Sequence, residues 1–233
     1  MADLVLQLSR VAYERSGRRL LDGIGLNLRA GEAAALVGAN GAGKTTLLRA
    51  VAGLLPATTG DITATGLDPR IAPTAEVARR RLYAEQHPSC AWDQTVAELG
   101  ALGRRPGAWK DWAGRLALTD LAERPLAKLS GGERQAAHLA RLFASLEEPY
   151  GALLLLDEPT AALDQGRRET VRAAVRAWAQ AGAAVLVATH DESWARSFPR
   201  VIALEEGRLI ADGPPAAVFT AGVARAVWGG PAT

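Results

Sequence analysis

The segment Gly38-Ala39-Asn40-Gly41-Ala42-Gly43-Lys44-Thr45 fits the pattern G-x-x-x-x-G-K-[ST] at every fixed position. Glycines in this spacing let the backbone turn tightly and point several N–H groups at phosphate oxygens. Lys44 would reach the β- and γ-phosphates of a nucleotide, the Thr45 hydroxyl would bind Mg²⁺, and Thr46 would add a phosphate contact. The alternatives are a chance match and a Rossmann dinucleotide site. The Rossmann site requires G-x-G-x-x-G spacing, which these glycines do not have.

Two carboxylates follow a buried-strand pattern further along the chain. Leu153–Leu156 is a continuous apolar run, typical of a parallel strand covered on both faces, and it leads directly into Asp157 and Glu158. Ligands of open α/β sheets bind at the carboxyl ends of such strands. Asp157 suits coordination of Mg²⁺ through water, and Glu158 could polarise the attacking water as a general base. Taken alone, the pair could also belong to a solvated loop.

The elements that must position these residues are short apolar runs alternating with longer amphipathic stretches, which predicts an α/β fold. Further strands are predicted at Ala33–Val37, at Ala183–Ala188 and, as a hairpin, at Val201–Leu204 with Arg208–Asp212. A helix is predicted after the phosphate loop, from apolar residues between Leu47 and Leu55, with Pro56 ending it. Another helix would be capped by Asp164 and closed by Gly182.

The stretch from about His87 to Tyr150 differs from the rest, because it lacks strand-like runs and holds three of the six tryptophans. We expect a helical lobe inserted into the α/β core. Trp92, Trp109 and Trp112 lie in this stretch, and packing inside the lobe is expected for at least two of them.

Composition limits the possible functions. The 233 residues are 48% hydrophobic and 22% charged, which excludes intrinsic disorder, collagen and a disulfide scaffold. A net charge of +2 gives no reason to expect nucleic-acid binding. Cys90 is the only cysteine, so an intrachain disulfide is excluded. The sequence shows neither a signal-peptide pattern nor an apolar run of about 18 residues, so action on a membrane is expected to require a partner.

The segment Leu129-Ser130-Gly131-Gly132-Glu133 stands at the start of a helical pattern that runs from Arg134 to Leu146. With it, the chain resembles the nucleotide-binding subunits of ATP-binding cassette (ABC) transporters over nearly its whole length. In that family this signature segment binds the γ-phosphate of ATP held by a second subunit. A serine hydroxyl, glycine N–H groups and a helix N-terminus suit that task. Alone, Ser130 and Glu133 would be a capping box.

The resemblance assigns roles to four further residues. Gln86 resembles the glutamine that contacts Mg²⁺ or the attacking water, and Asp164 resembles the aspartate at the subunit interface. His190 resembles the switch histidine, which holds the γ-phosphate and the geometry around Glu158. Tyr13 resembles the aromatic residue that stacks on adenine. The plain alternatives are a solvated glutamine for Gln86, a helix cap for Asp164 and an ordinary strand aromatic for Tyr13.

The same resemblance implies the architecture and the partners. The expected fold is a P-loop NTPase (RecA-like) α/β core with a mixed sheet, formed by residues 1–86 and 151–233, and a helical signature subdomain at residues 87–150. ATP and Mg²⁺ are the implied cofactors. The implied partners are a second copy of the chain, permease subunits docked beside Gln86 and the helical lobe, and a periplasmic or surface substrate-binding protein. The chain would be a peripheral protein on the cytoplasmic face of the inner (cell) membrane.

Details of the sequence bear on the transporter class. Ala136 stands where the family usually has arginine, and Ala39 stands where it commonly has proline, but neither change removes a phosphate ligand. The segment 95–106 looks like that of importers of iron chelates, haem and vitamin B12, and the extra residues 147–152 look like those of haem and B12 importers. The alternatives are an ABC exporter, a soluble ABC protein of translation or DNA repair, and a non-enzymatic interaction module. The intact Lys44, Asp157 and Glu158 argue against the module.

Overall fold

The computed structural model describes residues 3–55, 59–88, 94–103, 105–220, 222, 223 and 227, and within them the strands form two sheets. The smaller, antiparallel sheet has the order β2-β1-β4 and consists of β1 (Leu4–Arg15), β2 (Arg18–Arg29) and β4 (Thr59–Ala64). The larger sheet has the order β5-β6-β7-β3-β8-β9. Its strands are β3 (Ala33–Val37), β5 (Arg81–Ala84), β6 (Leu153–Asp157), β7 (Ala184–Ala188), β8 (Arg200–Glu205) and β9 (Arg208–Gly213). All neighbours in it are parallel except β8 and β9, so the sheet is mixed, as expected.

The helices divide into those that flank the sheets and those between residues 94 and 150. The flanking helices are α1 (Lys44–Val51), α2 (Thr74–Arg80), α6 (Gln165–Gln180), α7 (Glu192–Ala195) and α8 (Pro215–Val218). The described residues from 94 to 150 form α3 (Val96–Ala101), α4 (Pro106–Arg115), α5 (Gly131–Ala144) and two 3-10 turns, Thr119–Leu121 and Leu126–Lys128. The described residues between 94 and 150 contain no strand, in agreement with the prediction of a helical lobe.

The core lies on both faces of the larger sheet. Every residue of β3, β6 and β7 is buried, which explains why these segments are continuous apolar runs. Side chains alternate between two hydrophobic clusters, so Leu36 packs with the antiparallel sheet and α1, whereas Val37 packs with α5 and α6.

Aromatic side chains join the helical region to the core. Phe143 of α5 lies 5.0 Å from Trp112 of α4 and 4.5 Å from Trp178 of α6, measured between ring centroids. Trp109 packs so closely on α3 that a Cβ atom at Gly100 would clash with its ring. The prediction that at least two tryptophans pack in this region is therefore confirmed for Trp109 and Trp112. Trp92 lies outside the described residues.

The predicted strands and helices are present, with one substantial correction. The helix after the phosphate loop ends at Val51, and the prediction that it continues to Leu55 was wrong. Gly53 has a φ of +66°, and a Cβ atom there would clash with the carbonyl of Pro69. The chain therefore leaves the helical conformation before Leu54 and Leu55, although these residues continue the apolar pattern. Pro56, the predicted end, is outside the described residues.

Candidate nucleotide-binding site

The phosphate loop lies between the buried strand β3 and the N-terminus of α1, as predicted. Gly41 and Gly43 have φ angles of +82° and +105°, which favour glycine. A Cβ atom at Gly38 would lie 2.5 Å from the carbonyl oxygen of Leu204, and one at Gly43 would lie 2.8 Å from that of Leu20. The glycines are therefore required both by the turn of the backbone and by the strands packed against it.

Lys44 lies under the loop, with only 7% of its surface exposed. Its Nζ donates hydrogen bonds to the carbonyl oxygens of Gly38, at 2.7 Å, and Ala39, at 3.1 Å. Burial lowers the pKa of the ammonium, while the carboxyl groups of Glu158 and Asp157 act in the opposite direction. A phosphate group held by the loop would meet this cation.

Asp157 ends β6 and is 1% exposed. Burial raises the pKa of its carboxyl group, and a hydrogen bond with Thr45 partly offsets this effect. Its Oδ2 has no hydrogen-bond partner among the described residues. An unpartnered, buried carboxylate oxygen beside a threonine hydroxyl is a donor set that suits Mg²⁺. Thr45 and Asp157 thus fit the ion that the sequence predicts.

Glu158 follows in a left-handed backbone conformation, with a φ of +47° that is uncommon for a residue other than glycine. Its N–H donates to the carbonyl of Ala188 at 3.0 Å, which ties it to the end of β7. Burial raises the pKa of its carboxyl group to about 7. A carboxyl group with a pKa near neutrality is suited to accept a proton from water.

His190 lies beside both charged groups. Its Nε2 is 3.2 Å from the Nζ of Lys44 and 3.4 Å from the Oε1 of Glu158, and its backbone N–H donates to the Oε2 of Glu158 at 3.3 Å. Burial lowers the pKa of the imidazole, and Lys44 lowers it further. The lowered pKa favours the neutral ring, whose Nε2 can accept a hydrogen bond from Lys44.

These groups surround one cavity of about 260 Å³. The predicted residues in its lining are Asn40, Gly41, Ala42, Gly43, Lys44, Thr45, Thr46, Gln86, Asp157, Glu158 and His190. Gln86 comes from the segment after β5, so four strands of the larger sheet deliver side chains to the same edge. The structure thus brings the phosphate loop, the acidic pair, the glutamine and the histidine together.

Tyr13 does not belong to this lining. It lies on β1 opposite Leu21, is 9% exposed and packs in the cluster between the two sheets. Its predicted stacking on adenine stays a prediction.

The signature segment does not line the cavity of its own chain either. Ser130 and Glu133 form the capping box of α5, because the Glu133 N–H donates to the Ser130 Oγ at 3.2 Å and the Ser130 N–H donates to the Glu133 Oε2 at 2.8 Å. Gly131 has open space around it, whereas a Cβ atom at Gly132 would clash with the carbonyl of Ala162. Gly132 therefore packs against the loop before α6.

Asp164 ends that loop and caps α6. Its Oδ1 accepts a hydrogen bond from the Arg167 N–H at 2.9 Å, and its Oδ2 lies 3.0 Å from the Arg167 guanidinium. The backbone N–H of Arg167, followed by its charge, holds the pKa of Asp164 below the ordinary value. The predicted cap is confirmed, and the predicted interface role is compatible with it.

Three residues of the site escaped sequence reasoning. Arg18 and Leu20 line the cavity from β2, close in the chain to Tyr13, but no motif marks them. Gly207 lies at the tip of the β8–β9 hairpin, where its N–H donates to the carbonyl of Ala42 at 2.9 Å. The sequence marks Gly207 as part of a hairpin turn, but the packing of that turn against the phosphate loop depends on the tertiary fold.

Replacement of Gly207 by alanine is expected to weaken ATP binding by about tenfold. A Cβ atom there would lie 2.6 Å from the carbonyl oxygen of Leu20, so the hairpin must move away from the loop it supports. Gly66→Ala is the matched control, because Gly66 has a similar φ of +81° but open space around it. Both variants carry the left-handed backbone cost of about 1 kcal/mol. Isothermal titration with ATP would contradict the prediction if the two variants bound equally well.

Comparison with known proteins accords with this geometry. Residues 21–161 match the family model described as "ABC transporter". The chain belongs to the ABC transporter family. It is an ATP-binding subunit of that family, with ATP hydrolysis coupled to transport as its activity.

Two curated relatives cover most of this ABC subunit. It is 41% identical over 227 residues to the hemin import ATP-binding protein HmuV of Streptomyces coelicolor, covering 92% of this chain and 80% of the relative. It is 38% identical to HmuV of Rhodococcus jostii, covering 98% and 81%. Among solved structures, cbiO1 from Clostridium perfringens, part of the ABC transporter complex cbiONQ, is 26% identical with a TM-score of 0.75, covering 93% of this chain and 91% of that one.

Proposed function

We propose that this ABC subunit is the ATPase of a haem importer and that two copies enclose two ATP molecules. The observation that carries the two-copy arrangement is that the predicted ligands are split between two places in the chain. Lys44, Asp157 and Glu158 line one cavity, whereas Ser130 and Gly131 lie outside its lining. A second copy would supply the signature segment to the γ-phosphate, since an α-helix N-terminus is well suited to bind an anion.

The residues of each half have distinct tasks in this mechanism. Thr45, Asp157 and Gln86 would hold Mg²⁺, which when bound neutralises charge on the phosphates. Lys44 and the loop N–H groups would orient the β- and γ-phosphates. Glu158 would accept the proton of the attacking water, and His190 would hydrogen-bond the γ-phosphate and hold Glu158 in place. Loss of the γ-phosphate would release the link between the copies.

Coupling to a membrane requires a partner. No helix within the described part of the chain has the length and apolarity of a membrane span. A groove of about 240 Å³ lies where the end of β5 meets α5, and it is lined by Tyr83, Ala84, Glu85, Pro88, Gln135, His138, Leu139, Arg141 and Leu142. Glu85 directly precedes Gln86, so the groove adjoins the nucleotide cavity. We infer that permease subunits dock here, at the cytoplasmic face of the membrane, and receive the movement that follows hydrolysis.

The substrate class is inferred from the relatives. Those at about 40% identity are named for hemin import, and haem is among the cargoes that both segment 95–106 and residues 147–152 favour. A substrate-binding protein would deliver haem to the permease from the outer side. The transported molecule itself would not touch this subunit.

Reconstitution tests the proposal. The chain is copurified with its polytopic membrane partner, placed in proteoliposomes with ATP, and supplied with haemin, cobalamin or a ferric chelate on the side opposite the ATPase. We expect haemin uptake that depends on ATP and raises the hydrolysis rate. Uptake of cobalamin or a ferric chelate alone would reject haem as the cargo. Movement of haemin only toward the side away from the ATPase, or the lack of any membrane partner, would reject import.

A further inference from the structure

Asp191, the residue after His190, makes four polar contacts through its carboxylate and its backbone N–H. Its Oδ1 accepts hydrogen bonds from the Ser193 hydroxyl at 2.6 Å and from the Trp194 N–H at 3.0 Å, so it caps α7. Its own N–H donates to the Thr189 hydroxyl at 3.1 Å. Its Oδ2 pairs with Arg172 at 2.5 Å. The first three contacts are local, and of these four contacts of Asp191 only the ion pair reaches another element, α6.

Arg172 reaches Asp191 from α6. Its side chain is 16% exposed, and its guanidinium also lies 5.4 Å from the ring centroid of Trp194 and 3.1 Å from the Oε1 of Glu169. Glu169 is half exposed, so its pair with Arg172 contributes little. The less exposed pair with Asp191, backed by the indole ring, fixes the cation in one position.

The position of the backbone at residue 190 matters for the chemistry, because it sets two contacts at once. The His190 N–H donates to the Glu158 Oε2, and the His190 ring reaches Lys44. A displacement of Asp191 would therefore move both the proposed base and its partner. In enzymes generally, misplacement of a catalytic group by about 1 Å can lower the rate by about 10²-fold.

We propose that Arg172 is a positioning residue for hydrolysis, which holds His190 and, through it, Glu158 by means of its ion pair with Asp191. Arg172 touches neither ATP nor the reacting atoms in this assignment. The inference rests on the proposed roles of Glu158 and His190. It extends the site to α6, the helix that Asp164 caps.

The kinetic test compares Arg172→Ala with Arg176→Ala. Arg176 lies one turn further along α6 and is exposed, so it controls for loss of an arginine from the same helix. We expect Arg172→Ala to lower kcat by about tenfold, with KM for ATP within twofold, because the phosphate loop is untouched. Arg172→Lys should recover part of the rate, since an ammonium can still pair with Asp191.

A spectroscopic test separates positioning from a general loss of structure. The chain has three histidines, so ring signals of His87, His138 and His190 can be followed by heteronuclear NMR and assigned with His190→Ala. Arg172→Ala should shift the His190 signal and leave the other two unchanged, and Arg176→Ala should shift none. An unmoved His190 signal, or equal kcat values for the two alanine variants, would overturn the inference while leaving the proposed function intact. Failure of the unmodified protein to hydrolyse ATP would overturn both.

Discussion

Replacement of Glu158 by glutamine is expected to lower ATP hydrolysis by about 10³-fold while ATP binding is retained. Glutamine keeps the size of the side chain but cannot accept a proton from water. The backbone donors of the phosphate loop and Lys44 remain, so nucleotide should still be bound. Because the γ-phosphate is not lost, ATP should hold two copies together. Phosphate release and size-exclusion chromatography with ATP and Mg²⁺ would measure the two effects.

Glu123→Gln is the control for this variant, since Glu123 is exposed and lies outside the cavity. It should hydrolyse ATP at the unmodified rate. A hydrolysis rate unchanged in Glu158→Gln would reject the assignment of Glu158 as the base.

The pH dependence of hydrolysis adds a second check. Burial raises the pKa of Glu158 to about 7, and the active form is the carboxylate, so hydrolysis should rise as the pH increases through about 7.

Replacement of Lys44 by methionine is expected to weaken ATP binding by about 100-fold. Hydrogen bonds to charged groups contribute about 1.5–3 kcal/mol, and methionine removes the cation while keeping a similar volume. The substitution would also remove the positive charge that lowers the pKa of the Asp157 and Glu158 carboxyl groups and so partly offsets the effect of their burial. Titration with a fluorescent ATP analogue would measure the affinity.

The chain offers a matched control, because Lys110 on α4 is exposed and far in sequence from the loop. Lys110→Met should bind ATP normally. Thermal unfolding of both variants would show whether lost binding reflects a lost fold. An Lys44→Met protein that is folded and binds ATP with unchanged affinity would contradict the assignment of this cavity to phosphates.

Several parts of the site could be predicted because local rules act strongly on them. Asp157 follows the apolar run Leu153–Leu156, and the phosphate loop follows the apolar run Ala33–Val37. Both runs are buried on both faces of the sheet, and no polar pattern competes with their assignment as strands. Asp164 precedes a long amphipathic segment and caps it in the structure. The glycines of the loop carry a spacing that few other structures require.

Other parts depend on tertiary contacts that leave no local signal. The strand β1 contains register shifts against both of its neighbours, which interrupt the period-2 pattern by which strands are found. The helix α1 ends early because Gly53 must pass the carbonyl of Pro69, which lies beyond an intervening strand. Arg18 enters the cavity only because β2 folds back along β1. None of these contacts can be deduced from neighbouring residues alone.

The close packing of Gly132 against Ala162 bears on how two active centres would communicate. Ala161 is tied to Glu158 by a backbone hydrogen bond of 3.2 Å, and the next residue touches the signature glycine. Glu158, the proposed base for one ATP, is thus joined through Ala161 and Ala162 to Gly132 of the signature segment, which would bind the other ATP. Occupancy of one centre should then alter the second, and the velocity should depend on ATP concentration with a Hill coefficient above one.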